Sequence, residues 1–326
     1  MSAHIQHPKS YKPSIAGSAR GGSPSPATPT GSRRVRRCPD DASRPQLMGA
    51  LLAIVSSVSW GSSDFVGGLL SKRIAPLRVV VCSQGSAFLV MCVLFGVRLA
   101  TVGAPSGHAW LWGIAAGLAN ALGLACLYAG LSVGTMGVVS PIASLGVVVP
   151  VVMGLLTGDS FGLLVGLGLL LAMSGAVLAA GPEFSGRISR LPVVLAACAA
   201  LGLGSSLYFV HLAAGQSVVP TLWLMRLVSV VELLVIWRLL PRAAAGASPA
   251  SRDLPAIFLL GCGDLTATAL FGLASQRTQV SLASVLASLY PVATLLLARF
   301  VLHERMRAVQ TAGVGMALLG VVLVVS

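Results

Sequence analysis

Few residues in this chain carry charge or acid–base chemistry, and those that do stand apart from one another. The 326 residues include only nine Asp+Glu and five His. Asp64, Arg226 and Asp264 lie inside long apolar stretches. An ionised side chain at membrane depth costs roughly 2.5–3.5 kcal/mol on insertion scales, so each such residue is a candidate for function. Asp64 lies one helical turn beyond Trp60. It reads either as a cavity-lining carboxylate for a cation or proton, or as a helix-end acid paired with Lys72 or Arg73. Asp264 lies near the middle of its stretch. Arg226 would reach Asp264 or bind an anionic group of a solute. Glu232, six residues further on, stands about 120° round the same helix and is not its partner. His211 reads as a proton relay or as a structural interfacial histidine.

Several other side chains would complete such a site. Trp60, Tyr128, Tyr208 and Tyr290 would form an aromatic wall, or simply pack. Pro141, Pro150 and Pro291 lie within apolar stretches, where a missing backbone N–H provides a hinge. The pattern excludes much else. The six cysteines form no CxxC pair and no cluster with histidine, and most fall in apolar runs, where they act as small packing residues. Nothing in the sequence calls for a metal or a cofactor. A membrane-embedded enzyme would need clustered acids, histidines or a phosphate-binding loop, and a channel would need charged rings or a filter loop. The sequence shows none of these features, and an enzyme acting on a lipid-linked substrate, or a channel, stands only as the alternative reading.

Long apolar elements must position these residues. Hydrophobic residues make up 56% of the chain and charged residues 10%, with a mean hydropathy of +0.89. A soluble domain is about 25% charged, because its surface faces water. Here the surrounding solvent must be the lipid bilayer. The apolar runs predict an all-α integral membrane protein with ten spans, at 47–70, 79–99, 109–131, 135–157, 160–181, 191–213, 217–240, 254–275, 278–301 and 307–325. Residues 1–46 are rich in Ser, Pro, Gly and Arg and read as a disordered basic tail. Met48 would serve as an alternative initiator. The net charge of +13 comes from this tail and from span ends, so it points to headgroup contact and orientation rather than to nucleic acid.

The spans repeat. Gly61-Ser62-Ser63 returns as Gly204-Ser205-Ser206, and Gly117 with Asn120 as Gly261 with Asp264. Ala143-Ser144-Leu145 returns as Ala287-Ser288-Leu289, and Asp159 corresponds to Glu304. The spacing stays between 143 and 145 residues. It predicts two five-helix units, 47–181 and 182–326. An odd number of spans per unit inverts the second against the first, the plan of many secondary transporters, which bind solute at the midplane between repeats. Asn120 and Asp264 would then face each other across the pseudo-twofold axis. Ser144 and Ser288 become matched cavity candidates. Gly162, Gly166, Gly168 and Gly175 read as close packing, either within a repeat or at a homodimer contact.

These motifs resemble the EamA-like, ten-helix members of the drug/metabolite transporter superfamily. The likeness rests on Trp60-Gly61-Ser62-Ser63-Asp64-Phe65, Pro76 and Arg78, and on Ala287-Ser288-Leu289-Tyr290-Pro291, Leu302-His303-Glu304-Arg305, Gly313 and Gly320. Gly158-Asp159 stands where the family usually has Gly-Glu. The resemblance covers residues 47–326. It implies a plasma (inner) membrane exporter of a small metabolite, amino acid or drug-like solute, driven by a coupling proton or cation or by the solute's own gradient. It also implies that the termini face the cytoplasm, as does the arginine-rich tail. The core's Lys/Arg distribution points the opposite way, because span ends on the far side carry Lys72, Arg73, Arg78 and Arg190.

Overall fold

The computed structural model describes residues 39–103, 109–133, 136–180, 190–215, 217–239, 246–303 and 306–325. Residues 1–38 of the expected tail, Glu304 with Arg305, and the side chain of Tyr128 lie outside the described residues. The described part is helical throughout, without a strand. In lipid a backbone N–H or C=O finds no water, so each apolar run satisfies its polar groups internally as a helix.

In the first unit the helices are α1 (Pro39–Ser71), α2 (Pro76–Val102), α3 (Ala109–Val133), α4 (Met136–Ser144), α5 (Val148–Leu156) and α6 (Leu163–Ala179). In the second they are α7 (Arg190–Ala214), α8 (Val218–Leu239), α9 (Leu254–Ser275), α10 (Val280–Ala287), α11 (Tyr290–Val301) and α12 (Ala308–Val325). Seven spans are long and apolar enough to cross a membrane by length and composition, the α10–α11 pair counting as one of them. Three shorter apolar segments, Pro141–Leu156, Leu163–Ala179 and Ala308–Val324, complete the ten. α1 starts at Pro39, ahead of the expected boundary at 47.

Two of the expected continuous spans are broken, and at matched places. A 3₁₀ turn at Leu145–Val147 separates α4 from α5, and Ser288 and Leu289 separate α10 from α11. The causes differ. Pro150 leaves the Gly146 carbonyl without its helical donor, whereas Pro291 sits in the first turn of α11 and turns the preceding residues out of the helix. Each break receives a glycine from the first helix of the opposite unit. Gly204 of α7 packs on the Gly146 carbonyl, and Gly61 of α1 packs on the Tyr290 carbonyl and the Ala293 side chain. A methyl group at either glycine would collide with these atoms. Thr294 Oγ1 closes the second contact, donating to Gly61 O at 3.0 Å.

The two units interleave rather than sit side by side. α1 runs along α9, and α7 along α3, while α2 meets α8 and α6 meets α12 across the pseudo-twofold axis. The α6–α12 contact is a glycine seam. Gly168 packs on the Gly320 carbonyl, Gly175 on Ala317 and the Gly313 carbonyl, and Gly313 on Ala179. Gly168 and Gly175 therefore join the two units rather than pack within a repeat. Gly166 packs on Phe161 of its own unit, and Gly162 meets nothing.

The symmetry breaks at one end of the bundle. α10 starts against α5, and the Asp159 carboxylate accepts a hydrogen bond from the Ser281 backbone N–H at 2.9 Å. Gln279 Nε2 donates to Ser160 O at 2.6 Å beside it. Packing of α4 on α11 to a comparable extent is not found at the other end among the described residues, which leave out Glu304, the counterpart of Asp159. The units are thus latched at the end carrying the α5–α6 and α9–α10 turns. Replacing Gly175 or Gly313 by Leu is expected to cost about 1–3 kcal/mol through overpacking of the seam. Gly96→Leu, where nothing lies within 4 Å, should leave the melting temperature of the detergent-purified protein unchanged.

Candidate functional site

Four helices meet at a polar node in the apolar bundle. Arg226 of α8 is 1% exposed and its Nη1 lies 2.7 Å from Asp264 Oδ2 of α9. Nη1 also donates to Gln84 Oε1 of α2. Nη2 donates to Thr268 Oγ1 at 3.1 Å. The Gln84 amide in turn donates to Asp264 Oδ2 at 3.1 Å. Trp60 of α1 donates its indole N–H to the other carboxylate oxygen at 2.9 Å. Asp264 is therefore held by three helices besides its own. Its side chain keeps 26% exposure, so the carboxylate borders an open space while its cation is sealed.

Local sequence explains this placement. Asp264 and Thr268 are four residues apart, on one face of α9, and Thr268 Oγ1 also returns a bond to Asp264 O at 2.8 Å. Gly263 beside Asp264 lies against Ser63 of α1, and Gly261 lies against Ser83 and Ser86 of α2. Without these small residues α9 could not approach both helices, and the carboxylate would not reach Trp60 and Gln84. The Trp60 ring lies 6.1 Å from Phe271, tilted by 37°, which fixes the indole further.

Asp64 is one turn along α1 from Trp60, and its side chain is exposed. It stands about 180° from Val55 on the helix. Val55, Leu51 and Val58 form the outer apolar stripe. An exposed residue on the inner face borders a space between helices. Asp64 makes no ion pair or hydrogen bond among the described residues, since Arg73 is taken by Asp253 at 2.9 Å. Trp60, one turn before Asp64, holds Asp264, and Gly61, between them in sequence, lies against the Tyr290 carbonyl. Trp60, Asp64, Asp264 and Tyr290 thus border one region. A concavity between α2 and α9 is lined by Cys82, Phe88, Leu89 and Phe258; its apolar wall opens outward through exposed Leu89 and Phe258.

The remaining candidates fall elsewhere. Asn120 does not face Asp264. Its amide donates to Ser229 Oγ of α8 at 3.3 Å, one turn from Arg226, so the matched polar residues both meet α8 instead of each other. Ser144 and Ser288 spend their hydroxyls on carbonyls three residues back, Pro141 O and Val285 O, each at 2.8 Å. They satisfy the broken helices. Tyr208 is buried beside His211, with ring centroids 6.0 Å apart. His211 is close to Gln276. Pro141 lies within α4, and Pro150 is buried in α5. Gln84 and Thr268 were not among the sequence candidates. An amide within a span, and a hydroxyl one turn from an intramembrane acid, were the available signals.

Ten spans, two inverted five-helix units, broken helices at matched positions and a polar node at depth define a polytopic membrane protein of the inverted-repeat transporter class. Models of the EamA-like transporter family match residues 47–181 and 190–326. The chain belongs to that family. No curated protein matches it. A solved structure described as "Crystal structure of protein" is similar in fold, with a TM-score of 0.67 at 14% identity, covering 88% of this chain and 98% of the other.

A buried charge that loses its partner is costly, about 3–5 kcal/mol. Arg226→Met or Asp264→Leu alone is expected to destabilise by that amount. The double replacement should recover most of the loss in a thermal-unfolding cycle.

Proposed function

We propose that the protein is a secondary transporter in the cell (plasma) inner membrane, moving a small metabolite, amino acid or drug-like solute outward by alternating access. The observation that carries this reading is the asymmetry between two repeats of one design. α10 is latched to the α5–α6 turn by Asp159, while among the described residues, which do not include Glu304, α4 makes no comparably extensive contact with α11. A duplicated, inverted pair of units has two equivalent ways to close, one at each end, and one of them is occupied here. Rocking between them would expose the region bordered by Trp60, Asp64, Asp264 and Tyr290 to each side in turn.

Asp64 lies about 10 Å along α1 from its end at Ser71, toward the unlatched end. The Arg226–Asp264 node joins α1, α2, α8 and α9 and would move as part of the frame. The broken spans, with Pro141, Pro150 and Pro291, supply the points where half-helices tilt. The node's ion pair is internally neutral, so a coupling proton or cation would act at Asp64.

Cells overexpressing the protein, read by untargeted metabolomics of the medium, are expected to enrich a small set of solutes. Asp64→Asn and Asp264→Asn should return that set to the level of cells without the protein. A medium unchanged by overexpression, with both variants silent, would overturn the transporter reading. Asp159→Ala removes a helix-capping carboxylate worth about 1 kcal/mol, shifting the balance of the two states about fivefold. A cysteine at buried Ser284, in α10, is then expected to react faster with a thiol reagent applied from the latched side.

A further inference from the structure

We infer that the solute taken up by this site carries a cationic group, which Asp64 binds against the faces of Trp60 and Tyr290. The inference rests on the transporter reading and names its substrate class.

The charges within the bundle decide between a cation and an anion. Arg226 is the cation at the node, and at 1% exposure it is sealed from an anionic solute. Nη1 is taken by Asp264 and Gln84 and Nη2 by Thr268, and the remaining Nε is buried and without a partner. A solute anion would have to displace Asp264, which three other helices hold in place. Asp64 is the reverse case. Its carboxylate is exposed on the inner face of α1 and makes no ion pair or hydrogen bond among the described residues, and a second carboxylate, that of Asp264, is bonded to Trp60 one turn away. A positive group entering the space would gain from Asp64 and from the residual field of Asp264, whereas a negative one would be repelled by both.

The surrounding rings suit the same ligand. Trp60 lies one turn before Asp64 and keeps part of its ring accessible, its indole N–H fixed on Asp264. Tyr290, at the start of α11, is also partly exposed, and its backbone carbonyl abuts Gly61, between Trp60 and Asp64 in sequence. Aromatic faces next to a carboxylate attract ammonium and guanidinium groups through the ring quadrupole.

The test reads the local potential without knowing the solute. Gly68 is exposed, one turn from Asp64 on the same side of α1, and a Cβ there meets nothing within 4 Å. In a cysteine-free full-length chain, Gly68→Cys would be reacted with a trimethylammonium and a sulfonate methanethiosulfonate. Adding Asp64→Asn is expected to lower the cation-to-anion rate ratio about fivefold, the effect of removing one unit charge about one helical turn away in water. Asp64→Glu should restore the ratio. A ratio that Asp64→Asn leaves unchanged overturns the inference. Export provides the independent arm. Solutes released by overexpressing cells should be amines or guanidines, lost in Asp64→Asn. Export of neutral or anionic solutes that survives Asp64→Asn would overturn the cation assignment while leaving the transporter reading intact.

Discussion

The fold is organised around one ion pair that lipid would not tolerate in any other arrangement. Arg226 is sealed and must be neutralised in place. Asp264 supplies the charge, and Gln84, Thr268 and Trp60 bond to the two groups, leaving the Arg226 Nε without a partner among the described residues. Because a half-satisfied buried network is worse than none, these contacts fix the mutual depth and rotation of α1, α2, α8 and α9 together. The small residues along α9 follow from the same requirement, since wider helix spacing would break the bonds. Asp64 then remains as an acid on α1 that the frame does not consume.

The second constraint is backbone satisfaction at the broken spans. A helix interrupted in the membrane exposes carbonyls, and each interruption is covered by a glycine-bearing helix of the opposite unit. The serines at the breaks, Ser144 and Ser288, turn inward to their own carbonyls for the same reason. A break of this kind belongs where backbone is buried in protein. The two units therefore cannot be separated without exposing unsatisfied groups, even though each derives from the same sequence plan.

Much of this was legible in the sequence because its signals are long. The ten apolar runs, their duplication and the inverted arrangement rest on many residues each, and the structure has them. The pairing of Arg226 with Asp264 was readable as one of two options, since a buried cation needs an anion and Glu232 is on the wrong side of the helix. What depends on a single contact was harder to read. The interruptions at Leu145–Val147 and Ser288–Leu289 fall inside uniformly apolar runs, where hydropathy does not change. The expected meeting of Asn120 with Asp264 assumed that matched residues face each other. Interleaving places α8 between them instead, and Asn120 finds Ser229. Gln84 went unnoticed because one amide barely alters the apolarity of its span.

The α6–α12 seam also bears on ancestry. Its two helices are counterparts, so the contact is isologous: each face meets its own equivalent. A chain of half the length, inserted in both orientations, would present the same surface to a second copy of itself and form the seam without any partner of different sequence. Fusion of two such copies would convert a concentration-dependent assembly into an intramolecular one, and would free each half to diverge. The placement of Arg226 and Asp264 in only the second unit is the kind of specialisation that a self-paired dimer could not have adopted on one side alone.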